Sequence, residues 1–405
     1  MTRVAPRTRH PLFGLTVVEW ALASALVFGC GPGGGGDPTG GGGDPANSGG
    51  ATAGGSPSSG GGAPDVSFML GADISSVPEQ VDLGAVYIDT DGVAKPLPDL
   101  LADHGFNYVR LRTFVDPAAP FGYATGDGGA SCVKAAAYCD LEHTLEFAKE
   151  IKSAGLGFLL DLHYSDNWAD PGKQIIPEAW RDAQTIEELA GFVKDYTRDT
   201  IDTLIDGGAR PDIVQIGNEV TPGMLIHVPT NNTDCWGNGS ARNELNGSTG
   251  DWENLALLLR AGIDGVREVD PTIKTMVHLE NTDDPAGAVA WMARAQQFDL
   301  QFDVLGMSCY PAYQGPPSAW AETFGQLAQS FPELSFVVAE YGPEPRAVID
   351  VVSNIPDGRG LGAFLWEPTL SGAWGRSLFT MTSEGYRAND EDFATYDDLR
   401  VQLGL

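Results

Sequence analysis

From residue 65 onward, short apolar runs that end in polar or charged residues alternate with longer segments whose apolar residues recur at helical spacing. This alternation is typical of βα units, in which helices cover a parallel sheet. Eight runs occur, at residues 68–75, 108–114, 157–164, 213–218, 275–280, 304–310, 336–340 and 362–366. Helical spacing is clearest at residues 141–152, 186–205, 252–268 and 319–330. Eight units favour a closed (β/α)8 TIM barrel over an open sheet, as one domain spanning residues 65–405.

The first 64 residues have a different composition. Three arginines precede an apolar stretch, which predicts an export signal over residues 1–29. The stretch ends in Leu26-Val27-Phe28-Gly29-Cys30, which resembles a bacterial lipobox with Cys30 as the lipidated residue, although Phe28 is atypical there. Simple secretion and an uncleaved anchor are the alternatives. Residues 30–64, rich in Gly, Ser and Pro, predict a flexible linker, so we expect a secreted or cell-surface protein.

The charge balance is strongly acidic, because 24 Lys and Arg residues stand against 55 Asp and Glu residues, a net charge of −31. Nucleic-acid binding needs clustered basic residues and is therefore disfavoured. Such a surface suits solubility outside the cell and a neutral substrate. We expect a monomer that touches a membrane only through a lipid anchor.

The five cysteines are Cys30, Cys132, Cys139, Cys235 and Cys309. In an oxidising compartment we expect a disulfide between Cys132 and Cys139, whereas Cys235 and Cys309 either pair or stay free. Metal binding is the rival interpretation of the close pair, and the spacing supports it weakly.

We expect no required cofactor and no protein-bound metal. Two acidic clusters, Asp283-Asp284 and Asp390-Glu391-Asp392, leave calcium binding as an alternative. Neither cluster has a recognisable ligand spacing, so solvated loops are the favoured interpretation.

Polar and aromatic residues cluster at the carboxyl ends of the predicted strands, which form the active-site face of a barrel. They are Asp161, His163, Asn218, Glu219, His278, Glu280, Tyr310, Glu340, Trp366 and Glu367. Hydrolysis of a glycosidic bond needs one carboxylic acid that protonates the leaving oxygen and one carboxylate at the anomeric carbon. Glu219, ending the fourth run, is the predicted acid/base, and Glu340, ending the seventh, is the predicted nucleophile. Two such carboxylates predict a retaining glycoside hydrolase if they lie close enough together.

The chain resembles the endo-β-1,4-galactanases of glycoside hydrolase family 53, which cut the galactan side chains of pectin. The resemblance rests on residues 71–75 (GADIS), 107–112 (NYVRLR), 161–174 (DLHYSDNWADPGKQ), 217–219 (GNE), 277–281 (VHLEN) and 366–368 (WEP). It implies a barrel, retention of configuration and the two glutamates in the roles given above. The sequence departs from the family pattern after the sixth run, at residues 310–315 (YPAYQG), and after the nucleophile, at residues 341–344 (YGPE).

Further residues are predicted to bind substrate. They are Asp73, Arg112, His163, Asp166, Trp168, Asn218, His278, Tyr310 and Trp366. Tyr310 is expected to donate a hydrogen bond to Glu340 and hold it ionised, and Trp366 to offer a stacking surface to a sugar ring. Arg112 has the alternative of pairing with an acid in the barrel mouth, since Arg suits bidentate carboxylate pairing. For His278 the alternative is a buried strand-end histidine.

Two rival functions remain at this point. Another β-1,4-glycanase of the same barrel clan, acting on mannan or cellulose, shares the two glutamates, but residues 161–174 argue against it. A non-catalytic surface lipoprotein that binds polysaccharide would retain the barrel without its activity, although both carboxylates are present here.

Overall fold

The computed structural model describes residues 68–125, 137–229, 240–342 and 344–405. The predicted signal segment, Cys30 and the predicted linker lie outside these residues.

The eight predicted strands form a closed, all-parallel barrel, which confirms the expected fold. The strands are β1 (Met69–Asp73), β2 (Tyr108–Thr113), β3 (Gly157–Leu162), β4 (Ile213–Ile216), β5 (Lys274–Leu279), β6 (Val304–Cys309), β7 (Ser335–Tyr341) and β8 (Gly360–Trp366). Around the barrel the order is β1-β8-β7-β6-β5-β4-β3-β2, and β2 pairs back to β1.

Helices surround the barrel and connect its strands. They are α1 (Val77–Asp82), α2 (Leu97–Asp103), α3 (Leu141–Ser153), α4 (Ile186–Asp206), α5 (Trp252–Val269), α6 (Pro285–Gln297), α7 (Pro317–Ser330), α8 (Pro345–Ser353) and α9 (Asp390–Leu403). Every strand except the first is preceded by a helix on the outside of the barrel, and α1 is an additional short helix after β1. None of the helices among the described residues has the length and apolarity that a membrane span requires.

The helix bounds follow from local chemistry. Thr185 caps α4 by accepting from the Glu188 N–H, and Asp251 caps α5 by accepting from the Asn254 N–H. Their apolar stripes are buried against the barrel. Gly265 of α5 lets this helix approach α4 closely, because a Cβ there would lie 2.8 Å from the Lys194 carbonyl oxygen. The long helices therefore brace the wall that carries β3, β4 and β5.

Short strands build the loops above the barrel. Gly223–Met224 pairs with Gly247–Ser248, and His227–Pro229 pairs with Ser240–Arg242, so the long β4–α5 loop is folded into two ribbons. A separate sheet joins Phe379–Met381, Tyr386–Ala388 and Tyr87–Ile88. Two 3₁₀ turns, Glu178–Trp180 and Pro356–Gly358, complete the regular structure that is described.

Cys139 and Cys309 are buried free thiols. The Cys139 thiol lies 3.7 Å from the Ser75 carbonyl oxygen, to which it donates. Burial raises the pKa of the Cys139 thiol to about 12, against the opposing charge of Arg112. The proposed partners Cys132 and Cys235 lie outside the described residues.

Candidate active site

Glu219 and Glu340 project into the same mouth of the barrel from opposite walls. Glu219 follows β4 by three residues, and Glu340 is the sixth residue of β7. The register between β6 and β7 shifts after Met307, so that Ser308 pairs with Glu340. A β-bulge re-aims side chains next to an active site, and this one brings Ser308 and Glu340 to the same level of the barrel.

Glu340 is held by one cation and one hydroxyl. Arg110 Nη1 lies 3.1 Å from Glu340 Oε1, and Tyr310 Oη donates to Glu340 Oε2 at 3.0 Å. The carboxyl is only 5% exposed. Burial raises the pKa of Glu340 to about 7, while the Arg110 charge and the Tyr310 hydrogen bond oppose that rise. Both contacts favour the ionised form, which is the form a nucleophile needs.

Glu219 has a different environment. Ser308 Oγ lies 2.8 Å from Glu219 Oε1 as a hydrogen-bond donor. Burial, followed by the negative charges of Glu340 and Glu280, raises the pKa of Glu219 well above its usual value. A carboxyl group in such surroundings retains its proton near neutral pH, as a general acid must.

Arg110 connects both halves of the site, and it was absent from the predicted site residues. Its guanidinium is completely buried and donates to Asp73 Oδ2 at 2.8 Å, Asp161 Oδ2 at 2.8 Å and Asn218 Oδ1 at 3.0 Å. The sequence does hold a signal for it. An arginine that alternates with apolar residues in a barrel strand faces the interior, where a charge persists only when it is paired.

The backbone of Glu219 has φ 47°, in the left-handed region that non-glycine residues seldom adopt. Gln174 Nε2 donates to the Asn218 carbonyl oxygen at 2.9 Å and lies 3.4 Å from that of Glu219. Gln174 itself is buried. Strain of this kind persists where surrounding contacts enforce it. Gln174, the last residue of the motif at residues 161–174, therefore helps to hold the backbone of Glu219 in this conformation.

Two tryptophans form an aromatic wall at the mouth. The rings of Trp168 and Trp366 have centroids 6.0 Å apart, and both are partly exposed. The Arg112 guanidinium lies beneath them, 4.2 Å from the Trp168 centroid and 5.4 Å from the Trp366 centroid. The two rings are inclined at 58° to each other, so each indole offers a separate flat face to the apolar face of a sugar ring.

Several residues that were predicted to bind substrate are buried and make contacts within the protein. Arg112 pairs with Glu367 at 2.6 Å and with Asp73 at 3.4 Å, which is the alternative weighed for it. Asp73 is fully buried and also accepts from the Ser75 hydroxyl at 2.6 Å. Asp166 accepts from the backbone N–H groups of Asp116 and Glu178, at 3.0 and 2.7 Å. These side chains support the site from beneath. The sequence could not reveal this, because the position of a residue near a strand end does not tell which way its side chain points.

His163, Asn218 and His278 are likewise buried. His163 Nδ1 accepts from the Ala169 N–H at 3.0 Å, and its Nε2 lies 3.0 Å from Asp161. Asn218 Nδ2 donates to the Ala169 carbonyl oxygen at 2.9 Å, so the amide joins the loop that carries Trp168. For His278 the structure favours the alternative of a buried strand-end histidine.

The acidic clusters lie at the N-termini of helices, and Asp390-Glu391-Asp392 form the first turn of α9 rather than the expected solvated loop. Asp284 caps α6 by accepting from the Gly287 N–H, and Asp392 in the first turn of α9 pairs with Arg376. Within residues 68–125, 137–229, 240–342 and 344–405, no group of three or more His, Cys, Asp or Glu side chains is arranged to hold a metal ion.

Comparison with known proteins places this geometry in a family. Residues 69–346 match the model of Glycosyl hydrolase family 53. An uncharacterized protein from the bgaB 5′ region of Niallia circulans is 32% identical over 75% of this chain and 84% of its own length. The arabinogalactan endo-beta-1,4-galactanase of Thermothelomyces thermophilus is 31% identical over 74% of this chain and 88% of its own.

Solved structures agree with the sequence matches. The Ignisphaera aggregans GH53 catalytic domain superposes with a TM-score of 0.68 at 28% identity, covering 83% of this chain and 97% of that domain. The expected resemblance is thereby confirmed from both sequence and structure.

Proposed function

The chain belongs to glycosyl hydrolase family 53, and on that premise we propose that it is an endo-β-1,4-galactanase that hydrolyses internal β-1,4-galactosidic bonds with retention of configuration. The observation that carries the proposal is the unequal pair of carboxyl groups, with Glu340 beside Arg110 and Tyr310 and Glu219 beside other acids.

The reaction would proceed in two steps. Glu340 attacks the anomeric carbon while Glu219 gives its proton to the leaving glycosidic oxygen, which yields a glycosyl-enzyme ester and a shortened chain. Glu219, now a carboxylate, then takes a proton from water as that water attacks the anomeric carbon and releases Glu340. Arg110 and Tyr310 stabilise Glu340 whenever it is ionised, before attack and after release.

The aromatic wall of Trp168 and Trp366 supports a neutral sugar chain as substrate. Its apolar surface needs no charged partner, and the strongly acidic chain would repel an acidic polymer. Galactan is proposed because two arabinogalactan endo-beta-1,4-galactanases align with 74% of this chain at 31% and 30% identity. Residues 310–315 carry the departure from the family pattern, and there Tyr313 is 39% exposed. We propose that, because of these residues, the protein prefers galactan chains of a different length from those that other members of the family prefer.

The test is hydrolysis of purified β-1,4-galactan, β-1,4-mannan and soluble cellulose by the full-length protein. We expect short galacto-oligosaccharides from galactan, with the β-anomer appearing first in proton NMR spectra. Cleavage of mannan or cellulose in preference to galactan would reject the substrate, and an initial α-anomer would reject retention. Binding of galactan without cleavage of any β-glycan would favour the surface lipoprotein.

We also propose that the protein is exported and held at the cell surface by lipid on Cys30, acts as a monomer on the galactan side chains of pectin, and needs no cofactor. The lipobox-like segment that ends at Cys30 supports the anchor. Cys30→Ala should release the protein from the membrane fraction, and hydrolysis should survive prolonged dialysis against EDTA. A membrane fraction unchanged by Cys30→Ala would exclude the lipid anchor, and loss of activity that calcium restores would establish a metal requirement.

A further inference from the structure

A chain of hydrogen bonds leads from the acid/base into the barrel wall. Ser308 Oγ lies 2.8 Å from Glu219 Oε1 and 3.0 Å from His278 Nε2. His278 Nδ1 lies 2.9 Å from Asn218 Oδ1, which accepts from Arg110 Nη2 at 3.0 Å. Ser308 and His278 are completely buried. Neither residue touches the pocket surface, so their role has to act through Glu219.

The direction of these hydrogen bonds can be assigned from the arginine end. A guanidinium only donates, so the Asn218 atom beside Arg110 is the oxygen. That oxygen requires a donor at His278 Nδ1. Burial and the Arg110 charge lower the pKa of His278 well below its usual value, so the ring carries a single proton. With the proton on Nδ1, His278 Nε2 is an acceptor.

Gln215 does not reverse this assignment. Its Oε1 accepts from Arg110 Nε at 3.1 Å, which fixes the amide with Nε2 toward the other groups. Gln215 Nε2 lies 3.3 Å from His278 Nδ1, but it donates to Asp161 Oδ1 at 2.6 Å and to the Gly217 carbonyl oxygen at 3.0 Å. Its two hydrogens are thus used by shorter contacts.

Ser308 therefore has one hydrogen and two acceptors, the Glu219 carboxylate and His278 Nε2. We propose that Ser308 is a positioning residue whose single hydroxyl hydrogen is contested by two acceptors: it donates to Glu219 Oε1 while Glu219 is ionised, and turns toward His278 Nε2 while Glu219 carries its proton on Oε2 and Oε1 is the weaker acceptor. Without His278 the hydroxyl would favour the carboxylate more strongly, whereas the competing acceptor helps Glu219, a group that changes charge twice in each turnover, to regain its proton.

The proposal rests on the proposed acid/base role of Glu219. In the first step the Glu219 proton goes to the leaving oxygen, and the Ser308 O–H turns to the new carboxylate. In the second step water returns a proton to Glu219, and Ser308 turns back. No proton leaves Ser308 or His278, so neither is a catalytic residue. The titratable and charged groups that face Glu219 are Glu340 from β7, His278 from β5, Glu280 directly after β5, Tyr310 directly after β6, and Asp170 from the loop after β3.

The first test measures the tautomer of His278 by nitrogen NMR on protein that carries ¹⁵N-labelled histidine. We expect the proton on Nδ1 of His278. His163 is a built-in reference with the opposite tautomer, because its Nδ1 accepts from the Ala169 N–H. A His278 ring with its proton on Nε2 overturns the proposal. This result does not depend on substrate, so it stands apart from any failure of the proposed galactanase activity.

The second test compares the pH dependence of kcat/KM, whose alkaline limb reports loss of the Glu219 proton. Ser308→Ala removes the donor to the carboxylate, so the limb should move to higher pH by about one unit, the size of one hydrogen bond to a charged group. Ser308→Thr keeps the hydroxyl and should retain the wild-type limb. In His278→Leu the hydroxyl has only Glu219 as acceptor, so the limb should move to lower pH.

Thr323→Val is the matched control, since it removes another buried hydroxyl, which donates to the Thr282 carbonyl oxygen at 2.7 Å. It should leave the limb in place. Shifts of equal sign in Ser308→Ala and His278→Leu, or an unmoved limb in Ser308→Ala, overturn the proposal. If His278→Leu does not fold, the pH profiles of Ser308→Ala and Ser308→Thr and the tautomer of His278 still test the proposal.

Discussion

The two glutamates at the barrel mouth are both buried carboxyl groups, yet their neighbours differ in sign. Glu340 has the Arg110 cation at 3.1 Å and the Tyr310 hydroxyl at 3.0 Å. Glu219 has the Ser308 hydroxyl and the negative charges of Glu340 and Glu280. Burial raises the pKa of both, but only Glu340 has a cation that opposes the rise. A single proton shared by the pair therefore resides on Glu219, and the difference in neighbours assigns acid and nucleophile.

The largest expected effect comes from removing each carboxylate in turn. Glu340→Gln should reduce galactan hydrolysis to background, because no other group can form the glycosyl ester. Glu219→Gln should lower kcat by about 10²–10⁴-fold on galactan, the usual contribution of a general acid. On an aryl β-galactobioside with an acidic phenol the loss in kcat/KM should be much smaller, since that leaving group departs without a proton.

The measurements are kcat and kcat/KM on both substrates for each variant. Added azide should restore turnover in Glu219→Gln and give a β-galactosyl azide, because the small anion replaces the base-activated water. The reverse pattern, with Glu340→Gln active on the aryl substrate and giving the β-azide, would exchange the two roles.

Arg110→Met tests the cation that distinguishes the two carboxyl groups. It leaves Asp73, Asp161 and Glu340 in one buried space without their shared partner. We expect the free energy of unfolding to fall by about 3–5 kcal/mol, the cost of breaking a buried pair. The acid limb of the pH profile should move to higher pH, since Glu340 holds its proton more tightly.

Arg112→Met is the control for this substitution. It removes an equally buried arginine, which pairs with Glu367 and Asp73 but not with Glu340. We expect a similar loss of stability, measured by denaturant unfolding, and an unmoved acid limb. Equal displacement of that limb in both variants would show that net charge in the barrel, and not contact with Glu340, sets the ionisation.

Tyr310→Phe sharpens the comparison with less damage. The variant loses only the hydroxyl that donates to Glu340 Oε2. A hydrogen bond to a carboxylate lowers its pKa, so its removal should move the acid limb of kcat/KM upward by about one pH unit. At the wild-type optimum we expect a loss of roughly tenfold. A limb that moves downward would contradict the assignment of Glu340 as the group that must be ionised.

The sequence predicts the barrel and the two glutamates because both depend on short-range patterns. Each strand is an apolar run of four to eight residues with polar residues at its end, and the chemistry of glycoside hydrolysis singles out two carboxyl groups. The structure retains all eight runs with shifts of a few residues, for instance Lys274–Leu279 where residues 275–280 were expected.

The missed residues depend on contacts across the barrel. Ser308 faces Glu219 and pairs with Glu340 only because β6 and β7 change register at Met307, and no periodicity reveals a bulge. Arg110 was recognisable as a charge that needs partners, but its partners lie on β1, β3 and β7. Asp73 and Asp166 were expected at the substrate because they lie at or after strand ends. That position does not tell whether a side chain points into the pocket or into its wall.

Asp166 is another buried carboxyl group of the region, and its substitution should have the smallest effect on turnover. Burial raises its pKa to about 6, and its oxygens accept from the Asp116 and Glu178 N–H groups, away from both glutamates. A carboxyl group with a raised pKa contributes stability that is fully present below its ordinary pKa and is lost as the pH rises through the folded-state value.

Asp166→Asn removes this titration. The advantage of wild type over the variant in the free energy of unfolding should therefore be greatest near pH 4 and shrink by about 2–3 kcal/mol by pH 7, at 1.4 kcal/mol per pKa unit. Turnover should fall less than tenfold, since the loops move while Glu219 and Glu340 keep their neighbours. A constant difference in stability between pH 4 and 7, from denaturant unfolding, would show that Asp166 titrates normally. Burial would then not be enough to raise a carboxyl pKa at this mouth. The high pKa of Glu219 would depend on the negative charges of Glu340 and Glu280, with Arg110 still distinguishing Glu340 from it.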